Sequence, residues 1–270
     1  MDATTIGFGL GAIVGLILAL TGAGGGILAV PLLVFGLHLS IAEAAPVGLI
    51  AVGLASALGA GLGLREGIVR YRAAALVGSI GMLVAPLGVW LAHIVPGRPL
   101  AIAFSMVLAY VGLRMFRQSR AEAVEAEICR PACVVNSSTG RLSWTAPCAR
   151  ALAGTGALSG LLSGLLGVGG GFVIVPALTR FSDLAPRSIL ATSLAVITLV
   201  SIGSVAAAAA HGGVAWGIAI PFALGAALAL LLGRQIASRV AGARLQQAFA
   251  LACWCVAMLL AVRVITSAAA

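Results

Sequence analysis

The sequence has no lysine: all 16 basic residues are arginine, set against 7 acidic residues. Charged residues make up only 9% of the 270 positions and aromatic residues only 5%. A soluble globular domain carries about 25% charged residues. So little charge excludes an ordinary soluble domain, a coiled coil and a disordered chain. Catalytic patterns are missing too. There is no His/Asp/Glu metal cluster, no nucleophile with a base at workable spacing, and no P-loop. Neither a cofactor nor enzymatic activity is therefore expected. Met1-Asp2 is not followed by a positive stretch, so no signal peptide is expected to be cleaved.

What the chain does have is apolar length. It is 61% hydrophobic, with mean hydropathy +1.17. At roughly 20 residues per crossing, there is room for about eight to ten membrane segments. The class that follows is a polytopic all-α membrane protein, with the lipid bilayer as its main partner. The net charge is +9. In a soluble domain that excess would suggest nucleic acid. Here the arginines sit between apolar runs, where they orient the chain in the bilayer, and nucleic-acid binding is not expected.

Apolar runs separated by charge and Pro/Gly punctuation fall at about 5–36, 42–63, 73–93, 99–117, 151–179, 188–210, 214–233 and 245–265. Residues 118–150 differ, holding Glu122, Glu125 and Glu127, three of the seven acidic residues, and the Asn136-Ser137-Ser138 cluster. They read as a polar linker between two membrane units, 1–117 and 151–270. Of the five cysteines, Cys129, Cys133 and Cys148 lie in the linker, and Cys253 and Cys255 in the last run. The spacing matches no established zinc pattern. They read as free thiols on the reducing side, the alternative being a labile metal or redox site.

The two units repeat each other at an ungapped offset of 145 residues. Gly22-x-Gly24-Gly25-Gly26 falls on Gly167-x-Gly169-Gly170-Gly171, Val30-Pro31 on Val175-Pro176, and Ala103-Phe104 on Ala248-Phe249. Gly15-Leu16 falls on Gly160-Leu161, and Gly88 on Gly233. A single register that also aligns Pro and Phe is hard to obtain by chance, even in so biased a composition.

The first run of each unit is too long for one crossing. As a continuous helix, 5–36 would reach about 48 Å, against a hydrocarbon core of about 30 Å. Its glycine-rich middle is poor helix. Two half-helices meeting at a glycine tip are expected, either continuing across or turning back as a hairpin. With hairpins, fourteen of the sixteen arginines fall on one side; with full crossings the division is ten to six. The positive-inside rule selects the hairpins. The linker is then cytoplasmic and both termini lie outside. Three further crossings per unit make the repeats inverted, an arrangement found in many secondary transporters.

Irregular backbone at membrane depth is tolerated only where it is buried in protein or lines a wet cavity. Both tips are expected near the midplane, facing each other. After each tip a helix begins, with unpaired N–H groups and the positive end of its dipole. Glycine allows an oxyanion to approach those groups closely. The candidate anion site is therefore Thr21, Gly22, Gly24, Gly25 and Gly26 with Gly167, Gly169, Gly170 and Gly171, joined by the hydroxyls of Thr192 and Ser193. The competing reading bonds these hydroxyls back to their own helices. Gly7, Gly11 and Gly15, and Gly156, Gly160 and Gly164, recur every fourth residue and read as packing faces. Those faces also make a homodimer plausible. Glu66 and His211 share a repeat position, and either proton coupling or a plain interfacial role fits them.

Both halves resemble the TauE/SafE family of sulfite and organosulfonate exporters. The resemblance rests on G-x-G-G-G followed by an apolar run ending at Pro31 and at Pro176, and on the Thr192-Ser193 pair opening the next helix. It covers nearly the whole chain outside the linker. The first half departs from the pattern, with Val47-Gly48 in place of the hydroxyl pair. The resemblance implies a secondary transporter of the cytoplasmic membrane that moves a small sulfur-containing anion such as sulfite, sulfoacetate or a sulfonate. With no P-loop in the chain, an ATP-driven pump would need a separate subunit, and no ATPase subunit is expected. The alternatives are a passive anion channel, a carrier of another small anion, a membrane enzyme and an assembly subunit.

Overall fold

A computed structural model describes residues 3–21, 25–121, 133, 145–210, 214–237, 247, 250–260 and 262. They form α1 (Ala3–Thr21), α2 (Gly25–Gly36), α3 (Ile41–Arg65), α4 (Tyr71–Ile94), α5 (Gly97–Ala121), α6 (Ala146–Leu166), α7 (Gly171–Phe181), α8 (Pro186–Ala210) and α9 (Trp216–Ala237). A further helix, α10, covers Ala250–Leu260. Among the described residues, seven helices are long and apolar enough to cross a membrane: α1, α3, α4, α5, α6, α8 and α9. Large apolar side chains such as Leu83, Leu87, Trp90, Met106, Leu232 and Met258 are exposed around the bundle. Water would penalise such a surface, whereas lipid tails solvate it.

Each glycine-tipped run is indeed broken, but its arms are unequal. α1 has 19 residues and α6 has 21, so each rises about 28–32 Å and is long enough to cross. α2 and α7 have 12 and 11 residues. The expectation of two half-helices is corrected accordingly to one long arm and one short arm. The reason is the position of the glycine cluster, which comes only after about twenty residues that the helix accommodates, its spaced single glycines included. The short arm α2 returns along α1. A Cβ on Gly25 would press on the Leu18 backbone at 2.5 Å, and one on Gly36 would lie 2.6 Å from the Leu10 side chain. α2 is buried almost all round, as a helix apolar on every face must be.

The most extensive inter-helix contacts join the two halves: α1 with α9, and α4 with α6. Both are built on the glycines that recur every fourth residue. A Cβ on Gly11 would strike the Phe222 carbonyl and one on Gly15 the Ala226 carbonyl. In the other pair, Gly156 meets the Val77 carbonyl and Gly160 meets Gly81. These contacts map onto each other under the 145-residue offset: 11 to 156 and 222 to 77, then 15 to 160 and 226 to 81. Without side chains at these points, the backbones approach closely enough for dispersion and weak C–H···O contacts to hold the helices together.

At the centre stand α3 and α8, the most buried of the seven long helices. They are equivalent under the offset and they run antiparallel. Gly53 faces Ser201, Gly59 faces Leu194 and Gly63 faces Ala191. α5 and α10 also pack together, Gly112 lying against Trp254.

The linker cysteines depart from the free-thiol expectation. Cys133 and Cys148 form a disulfide, with their Cα atoms 5.0 Å apart. The Cys133 N–H donates to the Phe181 carbonyl at 2.8 Å, which sets Cys133 against the end of α7. Thr145 caps α6 by accepting from the Cys148 N–H at 3.3 Å, and this places the second thiol in the first turn. Spacing along the chain does not report a contact made through α7. Cys253 and Cys255 are free, and Cys129 lies outside the described residues.

Candidate functional site

The two tips meet between α3 and α8. A Cβ on Gly26, at the start of α2, would lie 2.5 Å from the Val168 carbonyl in the second tip. The same position is 3.3 Å from Val52 of α3. Across the junction, Gly169 sits 3.2 Å from Val52 and 3.3 Å from Ile197 of α8 by the same measure. Val52 and Ile197 are equivalent under the offset and lie near the middles of their helices.

The second tip has the backbone of a loop-to-helix entry. Gly167, Gly169 and Gly170 all have left-handed φ angles, of 73°, 75° and 69°. Side chains are disfavoured there on backbone grounds alone. Gly167 caps α6, its N–H donating to the Ser163 carbonyl at 2.9 Å, and Gly170 is the N-cap of α7. Ser159 donates to the Gly170 carbonyl at 3.2 Å and ties the tip to α6. Gly171 begins α7 and is buried. In the first tip, Gly25 and Gly26 begin α2 and are buried, while Gly22 and Gly24 lie outside the described residues. The Thr21 hydroxyl donates to the Ile17 carbonyl at 2.8 Å.

The two hydroxyls of α8 are held elsewhere. Thr192 accepts from the Arg70 N–H at 3.1 Å, just before α4, and Ser193 donates to its own helix at the Leu190 carbonyl, 2.8 Å away. Ser188 adds a bond to the Ile68 carbonyl at 2.7 Å. This end of α8 therefore clamps the α3–α4 turn. Glu66 pairs with Arg234 at 2.6 Å. His211, its repeat equivalent, lies outside the described residues.

Two features escape a linear reading. One is a cavity of about 400 Å³ that reaches from Leu18–Leu20 of α1 to Glu66, Arg187 and Arg234. It is flanked by arginine and ends on the last turn of α1. The other is a pair of buried serines, Ser56 on α3 and Ser201 on α8. The offset already relates them, 56 falling on 201, and that was the signal that could have found them.

The family model for the sulfite exporter TauE/SafE matches residues 7–260. Two proteins from two strains of Xylella fastidiosa, each called a probable membrane transporter protein, are similar to this chain. One is 31% identical over 238 residues and the other 30% identical over 241. Each comparison covers 87% of this chain and 85% of the relative. No solved structure matches. With the family model spanning all but the ends of the chain, this protein belongs to the TauE/SafE sulfite exporter family of membrane transporters.

Proposed function

We propose that this protein is a secondary transporter carrying a small sulfur-containing anion, such as sulfite, sulfoacetate or another organosulfonate, by alternating access. One observation carries the reading: the glycine tips of the two halves touch, Gly26 against Val168, between the middles of the two central helices. The helices starting at each tip direct unpaired N–H groups and positive dipole ends toward this junction, which suits an oxyanion without a buried arginine. The site comprises the tip glycines, and the protein acts as a carrier without catalysis. The antiparallel packing of α3 and α8 supports repeats of inverted topology in the bilayer, because equivalent helices then point in opposite directions. The arginine asymmetry supports a cytoplasmic linker and external termini in the cytoplasmic membrane.

Purified protein in liposomes tests this. Sulfite, sulfoacetate, a simple sulfonate and chloride are followed across the bilayer with and without a pH gradient. Saturable, gradient-driven flux of a sulfur oxyanion is the expected result. Flux that never saturates would replace the carrier with a channel, and no flux from folded protein would remove the substrate class.

A further inference from the structure

The bundle buries ten serine and threonine residues among those described. Eight of these hydroxyls are bonded to a backbone group or to another hydroxyl. A helical serine ordinarily bonds back to its own preceding turn, and Ser204 does so here, to the Val200 carbonyl at 3.1 Å. The two hydroxyls without a hydrogen-bond partner are those of Ser56 and Ser201. They are 0% and 2% exposed. Burying a hydroxyl without a partner costs stability, and native proteins rarely tolerate it without a reason.

The two orphans are each other's repeat equivalents, 145 residues apart on the two central helices. Each stands one turn beyond a residue that touches the tips: Ser56 follows Val52, and Ser201 follows Ile197, at the i+4 spacing that shares a helix face. The Ser201 hydroxyl lies 3.8 Å from where a Cβ on Gly169 would sit, and 3.4 Å from where one on Gly53 would sit. Thr198, between them on α8, bonds back to Leu194 at 2.9 Å, so the local helix does not prevent such a bond.

We infer that Ser56 and Ser201 are a symmetric pair of ligand-binding hydroxyls, donating to the oxygens of a compact oxyanion held at the tips. The inference rests on the tip site proposed above and adds its selectivity. Donors arriving from two helix starts and from two opposed central helices suit an anion with three or more oxygens around one atom, as in sulfite, sulfate or a sulfonate head. A halide has no separate oxygens to share among four groups of donors. An unliganded hydroxyl left bare is the cost of keeping the site ready to bind.

The test is thermal unfolding of the purified full chain in detergent, titrated with sulfite, with sulfate and with chloride. The wild type is compared with Ser56→Ala, Ser201→Ala and the double variant. We expect sulfite or sulfate, but not chloride, to raise the unfolding temperature of the wild type. Each single variant should weaken the apparent affinity about tenfold or more, as expected for loss of a hydrogen bond to a charged group. Without anion, the variants should unfold at the wild-type temperature or above it, because alanine removes an unsatisfied group. Variants that bind as tightly as the wild type would overturn the serine pair and leave the tips standing. Variants that unfold well below the wild type without anion would show a structural role and also overturn it. A wild type that responds to neither oxyanion would overturn the tip reading and the serine pair together.

Discussion

Glu66, one residue past the end of α3, accepts a 2.6 Å hydrogen bond from Arg234, close to the end of α9, and so ties the first half of the chain to the second. Arg234 also donates to the Gly59 carbonyl at 3.4 Å. The pair borders the cavity that reaches Leu18–Leu20 of α1, with Arg187 on its wall. Its side chains are 32% and 53% exposed, so solvent screens it, and its net worth is about 1 kcal/mol or less. Glu66→Gln should leave the unfolding temperature nearly unchanged. Proton coupling through Glu66, one of the two roles that its repeat position shared with His211 suggests, would leave this variant with saturable flux but without stimulation by a pH gradient. Equal stimulation in variant and wild type would return Glu66 to a purely structural part.

Arg187 lines the same cavity and has no ion-pair partner among the described residues. Replacing it with alanine should raise KM for an anionic substrate several-fold and leave the maximal rate intact. An exposed positive charge at an entrance raises local anion concentration and does no more. The effect should fade at high salt. An unchanged KM at low ionic strength would take Arg187 out of the approach path.

Gly170 is left-handed at φ 69°, and a Cβ there would collide with Ser159. Gly170→Leu should therefore displace the second tip and abolish flux. Insertion should survive, since hydropathy alone drives it. The check is a flux assay beside a measurement of membrane-integrated protein. Full flux in this variant would remove the second tip from the mechanism.

Gly15 and Gly160 occupy equivalent places in the two packing faces, against Ala226 and Gly81. Leucine at either position has to push backbone aside, not the tip of a flexible side chain. Overpacking of this kind costs about 1–3 kcal/mol and often more. Both variants should unfold at clearly lower temperature, and by similar amounts, because the contacts are symmetric. A large effect at one site with none at the other would break the equivalence of the faces.

The Cys133–Cys148 disulfide lies beside the arginine-rich end of the bundle. Disulfides persist in oxidising compartments, whereas arginine-rich loops stay in the cytoplasm. With the proposed topology, an impermeant maleimide should label these two thiols only after reduction, and only in inverted vesicles. Labelling in intact cells after reduction would place the linker outside and turn the topology over.

Hydropathy and punctuation alone placed the long helices. Runs expected at 42–63, 73–93 and 188–210 appear as Ile41–Arg65, Tyr71–Ile94 and Pro186–Ala210. That is possible because a bilayer of fixed thickness makes length and apolarity sufficient criteria, and because glycine acts locally on the backbone. The every-fourth glycines were legible for a related reason: a helix repeats its face every three to four residues, so a packing stripe is written in linear order. Tertiary structure alone decided how the polar groups were used. Thr192 is spent on the Arg70 N–H, 122 residues away, and Cys133 meets Cys148 beside the end of α7, where its N–H bonds the Phe181 carbonyl. Ser56 and Ser201 look like any other helical serines until their partners are sought and none is found. A hydroxyl carries no long-range signal along a chain, because its own helix, a neighbouring turn and a ligand all offer it an equally good acceptor. Which of these it meets is settled by what the folded bundle brings within about 3 Å.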